Sequence, residues 1–99
     1  MLRRVATLLL PGNQTLDVRT IDISTGGMGI IASANPPIGM ACGLRVALPG
    51  GTAGTVTLEL RVKVRQSMFS AKDDGFKVGL GFVDLNPAHE RSIRQYVES

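Results

Sequence analysis

Thr55-Val56-Thr57-Leu58-Glu59-Leu60-Arg61-Val62-Lys63-Val64-Arg65 is the stretch that decides the fold. Val56, Leu58, Leu60, Val62 and Val64 fall on one side, and Thr57, Glu59, Arg61, Lys63 and Arg65 on the other. Successive side chains of an extended chain point to opposite faces, so this period of two marks a strand with one face buried. The same alternation returns in Phe76, Val78, Leu80 and Phe82, placing both phenylalanines inward, and in Leu44, Val46 and Leu48.

Working outward, residues 4–10 and 15–23 form two more β-rich runs, separated by the turn Pro11-Gly12-Asn13-Gln14. Met28 to Ala32 forms a sixth short strand after Gly26-Gly27. In the second run Leu16 and Val18 share one face, but Ile21 and Ile23 fall on the other. A bulge or bend near Arg19-Thr20 reconciles them, and bulges are how small barrels turn corners. At the end of the chain Asn86 and Pro87 supply an N-cap and a first helical residue. Ile93, Tyr96 and Val97 then share one side of a helix over 86–97, expected to pack against the barrel. The fold class is therefore mainly β: a six-stranded antiparallel β-barrel with a C-terminal α-helix, read as a single domain over residues 1–99.

Composition narrows the function. Of the 99 residues, 43% are hydrophobic and 19% charged, the balance of a globular chain rather than a disordered one. The apolar run Leu8-Leu9-Leu10 stops at Pro11-Gly12, so no signal peptide and no membrane span is expected, and the reading is cytoplasmic. Cys42 is the sole cysteine, which excludes an internal disulfide and a multi-cysteine zinc site. His89 is the sole histidine and sits among helical surface residues; no nucleophile, base and orienting group stand together, so no enzyme is expected and no cofactor or metal is assigned. Asp73-Asp74 reads as a hairpin turn before the Phe76 strand. One tyrosine and three phenylalanines are too few for a base-stacking platform, so DNA is not expected as a partner.

Two segments have chemistry to offer an anionic ligand. In Asp22-Ile23-Ser24-Thr25-Gly26-Gly27, Asp22 and Ser24 point the same way, and Gly26-Gly27 permits a tight turn and a close approach to the backbone. A plain Asx- or Ser-stabilised turn accounts for these residues equally well. Arg3-Arg4 opens the first strand. Arginine forks onto the O6/N7 edge of guanine or onto a phosphate, whereas the N1/N2 edge of guanine presents donors that suit a carboxylate such as Asp22.

These residues resemble the PilZ family of bacterial cyclic di-GMP receptors. The family pattern is Arg-x-x-x-Arg, a β-hairpin and then Asp/Asn-x-Ser-x-x-Gly, on a six-stranded split barrel followed by a helix. Asp22 to Gly27 is similar to the second motif at every fixed position. Arg4-Val5-Ala6, the Pro11-Gly12 turn and Val78-Gly79-Leu80-Gly81-Phe82 resemble the surrounding strands. The resemblance implies that Arg4 contacts guanine or phosphate, that Asp22 and Ser24 hold guanine, that Gly26 and Gly27 keep the loop close to the ligand, and that Arg3 reaches a phosphate. The partner arginine, four residues before Arg4, would precede Met1; either it lies upstream or the site is weakened. The function implied is a cyclic di-GMP receptor that relays its state to a partner protein or fused domain. The alternative is a PilZ-like adaptor that does not bind cyclic di-GMP and acts through protein contacts.

Overall fold

A computed structural model describes residues 4–49 and 54–98. Along the chain come six strands, β1 (Val5–Leu10), β2 (Gln14–Ile23), β3 (Gly27–Ala32), β4 (Ala41–Pro49), β5 (Thr55–Ser70) and β6 (Gly75–Val83), and then helix α1 (Pro87–Glu98). Every pairing is antiparallel, and the ring closes in the order β1-β2-β3-β6-β5-β4. The β3–β4 connection therefore carries the chain past β6 and β5. It is tied down by Gly39 N–H donating to Val64 C=O and Val64 N–H donating to Met40 C=O.

The alternation of β5 is realised as expected through its first half: Leu58, Leu60, Val62 and Val64 are buried, while Glu59, Arg61, Lys63 and Arg65 are exposed. Val56, nearest the strand's start, is half-buried against the same core. Leu8, Ile30, Leu44, Val46 and Val78 meet these residues from the other strands, which gives one contiguous apolar interior. Phe76 and Phe82 pack against it from partly buried positions. Gly12 and Asn13 both take positive φ in the β1–β2 turn, where glycine and asparagine tolerate the left-handed region.

The structure sharpens two expectations and corrects a third. The bulge in β2 lies between Thr20 and Asp22, where the phase shift near Arg19-Thr20 placed it. β5 continues well past Arg65 to Ser70, pairing with β6 across a second irregularity between Val64 and Gln66. Its far end has no core beneath it to impose alternation, so backbone pairing rather than apolar period defines it. In α1, Ile93 is fully buried and Tyr96 packs on the core, but Val97 is 42% exposed. The helix's contact with the barrel is centred on Ile93, one turn before its end. The cap is as expected: Asn86 Oδ1 accepts from the His89 N–H at 2.7 Å.

Candidate functional site

The site follows from the bulge in β2. Up to Thr20 the strand alternates regularly, with Val18 and Thr20 buried. The extra residue, Ile21, resets the phase, so Ile23 packs towards the core and Asp22 projects into solvent. Asp22 pairs with Gly29 of β3, and its Oδ1 accepts the Gly29 N–H at 3.0 Å. A Cβ on Gly29 would stand 2.7 Å from that oxygen, so the glycine is what lets the carboxylate lie across the strand. One carboxylate oxygen is thereby anchored on an exposed side chain.

The turn after Asp22 is fixed from within. Ser24 N–H donates to Gly27 C=O at 2.9 Å, and Ser24 Oγ accepts the Gly26 N–H at 3.2 Å. Neither Gly26 nor Gly27 is among the residues with positive φ. Gly27 is needed for space instead: a Cβ there would collide with the Leu80 carbonyl of β6. Gly27 pairs with Gly81 and Gly29 with Gly79, so two glycine pairs lie side by side across the β3–β6 seam. They floor a shallow cleft of about 400 Å³, walled by Asp22, Ser24, Arg65 and Lys77. The Arg65 side chain lies over Gly81, and Gln66 over Gly79.

A second cleft of about 480 Å³ adjoins the first, and Lys77 borders both. Its floor is apolar, from Val5, Ile21 and Ile31, and its rim is basic, from Arg4, Arg19, Lys72 and Lys77. Arg4 is held there by the buried Thr20. The Thr20 hydroxyl accepts the Arg4 N–H at 2.8 Å and donates to the Arg4 carbonyl at 3.0 Å, and the Thr20 N–H donates to that same carbonyl. Arg19 Nη2 donates to the Asp73 carbonyl at 2.8 Å, which joins β2 to the β5–β6 turn. The Asp73 carboxylate accepts from Ser70 Oγ within that turn. The side chains of Lys72 and Lys77 make no hydrogen bond or ion pair among the described residues, in contrast to Arg45, which pairs with Glu59.

Of the residues singled out in the sequence, Asp22, Ser24, Gly26 and Gly27 share one cleft and Arg4 stands in the next; Arg3 lies outside the described residues. The sequence reading missed Arg19, Arg65, Lys72, Lys77 and the glycines at 29, 79 and 81. A signal for the glycines was present: they occupy outward positions between Met28 and Ile30 and between Val78, Leu80 and Phe82. Outward glycines on two strands make a trough. Cys42 is removed from both clefts by its place on β4, and burial pushes its thiol pKa up, which disfavours the reactive thiolate. No helix among the described residues is long and apolar enough to cross a membrane.

Fold and site together define a small closed β-barrel domain with a polar, glycine-floored trough on its outer wall and a helix against its core. The chain belongs to the PilZ domain family, whose sequence profile matches residues 2–99. The fold is similar to that of the Bacillus subtilis inhibitor of motility, MotI/DgrA, with a TM-score of 0.79 and 19% identity. That match covers 94% of this chain but only 45% of the other, so this chain spans less than half of that protein's length. It is also similar to the PilZ domain of YcgR from Escherichia coli, solved with c-di-GMP, with a TM-score of 0.66 and 20% identity over 94% of this chain and 77% of that one. The sequence has no match among curated proteins.

Proposed function

We propose that this chain is a cyclic di-GMP receptor module. The observation that carries the reading is the anchored Asp22 carboxylate, set with Ser24 in a glycine-floored cleft directly beside a basic one that holds Arg4. Membership of the PilZ family and the presence of c-di-GMP in the YcgR domain support it. The free oxygen of Asp22 accepts from the N1/N2 edge of guanine, and Ser24 adds a hydroxyl to the same cleft. Arg4 forks onto the O6/N7 edge or onto a phosphate. Nothing in this role requires catalysis. Ligand binding restrains the Arg4 segment against the barrel, and the change is passed to a partner protein or a fused domain in the cytoplasm.

Calorimetric titration with cyclic di-GMP tests the reading. Asp22→Ala removes a contact of roughly 1–3 kcal/mol, so binding should weaken about 5- to 150-fold and preference over cyclic di-AMP should relax. A wild-type chain that does not bind, or an Asp22→Ala variant that binds equally well, overturns it. A second reading, an adaptor that acts through protein contacts without nucleotide, draws on a different observation. Met68 and Phe69 are 74% and 61% exposed on the far part of β5, large apolar side chains facing solvent. Absence of nucleotide binding would favour that reading.

A further inference from the structure

We infer that Lys77, on the border of the two clefts, holds the phosphodiester of a ligand that spans them. The inference rests on the cyclic di-GMP reading and extends it to residues outside both family motifs.

A cyclic dinucleotide presents two neutral bases and two anionic phosphodiesters in one ring. The Asp22 cleft suits a donor-bearing base edge, and its carboxylate repels a phosphate. The neighbouring cleft has the opposite character. Its lining contains the cations Arg4, Arg19, Lys72 and Lys77 against the single acid Asp73, a formal +3 from four minus one. The Asp73 carboxylate is already engaged by Ser70 Oγ, and the Asp73 carbonyl holds the Arg19 guanidinium in place. Between the cations, Val5, Ile21 and Ile31 offer an apolar floor for a sugar or a base face. A ligand with its guanine on Asp22 therefore has its ring directed towards the basic cleft.

Lys77 is the only cation that borders both clefts among the described residues. It projects outward from β6, opposite Ile31 in the ladder, so its backbone is fixed while its ammonium remains unpaired. An ammonium held near a boundary that a phosphate must cross supplies a base-independent contact. Arg19, locked by the Asp73 carbonyl, has a fixed direction and flanks the same anion on the β2 side.

The test is titration of Lys77→Gln with cyclic di-GMP at low and physiological salt, beside wild type, Asp22→Ala and the helix variant Arg91→Gln. The Lys77 side chain is exposed and makes no internal bond, so the thermal melt should be unchanged. Loss of one solvent-exposed charge contact should weaken binding by up to about fivefold. The salt dependence should become shallower, because one screened attraction has been removed. Arg91→Gln, outside both clefts, should match wild type. If Lys77→Gln binds like wild type with the same salt dependence while Asp22→Ala remains weakened, the inference fails and the receptor reading stands. If wild type itself does not bind, the receptor reading fails and takes the inference with it.

Discussion

The two walls of this barrel are built by different rules. Along β4 and β5 the register runs unbroken from Ala41 opposite Lys63 to Pro49 opposite Thr55. Its inward residues are apolar and buried, and its outward charges include the Arg45–Glu59 pair at 2.8 Å. Along β2, β3 and β6 the order is interrupted by a bulge after Thr20 and by four outward glycines, and the Lys77 side chain of β6 has no partner among the described residues. The first wall supplies burial. The second gives up side-chain packing on its outer surface and gains two clefts. The contrast teaches that regular alternation and the clefts lie largely on different strands of one small ring, with β5 lending only Arg65 and Gln66 to the cleft edge, so core and cleft are separable by mutation.

The largest separation should come from Leu44→Ala on the regular wall. Leu44 is fully buried, and truncation of such a side chain leaves a cavity costing about 2–5 kcal/mol. For a domain of this size the melting temperature should fall by at least about 10 °C. Ligand affinity of the folded fraction, measured well below the melt, should not change. A weakened affinity there would show that the walls are coupled.

Gly29→Ala addresses the irregular wall with a smaller effect on stability. The added methyl displaces the Asp22 carboxylate from the Gly29 amide. A loss of about 1 kcal/mol in stability and about tenfold in cyclic di-GMP affinity is expected, by chemical denaturation and titration. Unchanged binding would mean that Asp22 need not be anchored to act. The smallest effect belongs to Glu59→Gln, which removes an ion pair whose partners are both more than half exposed. It should alter stability by less than about 1 kcal/mol and leave binding untouched.

The same contrast explains what the sequence made legible. The β5 alternation over Leu58, Leu60, Val62 and Val64 is produced by burial on one face, and burial leaves a period that can be read from residue types. The motif positions Asp22 and Ser24 were legible because they lie two residues apart on one side of a strand end, before Gly26-Gly27, in the spacing of the family motif. Arg19, Lys72 and Lys77 were not. They come from β2, the β5–β6 turn and β6, and only the closed ring brings them to one rim. A lysine on the solvent side of a strand has the same pattern whether it lines a cleft or an open surface. Val97 illustrates the converse error: helical spacing placed it beside Ile93, but spacing does not say where along the helix the barrel ends.

The far part of β5 has a bearing on how copies of this chain behave towards one another. Its ladder with β4 ends at Lys63, so among the described residues 66–70 pair on the β6 side alone. Residues 14–18 of β2 and 46–49 of β4 likewise have a ladder partner on one side alone among the described residues, but the far part of β5 is set apart by its side chains. This short stretch carries the exposed Met68 and Phe69, the composition that invites sheet-to-sheet growth at high concentration. The irregularity between Val64 and Gln66 separates it from the rest of the strand, and its length is only five residues from Gln66 to Ser70. A short edge is a poor template for recruiting further chains. The bulge that lays Arg65 over Gly81 thus also leaves this edge short and set off from the long β4–β5 ladder.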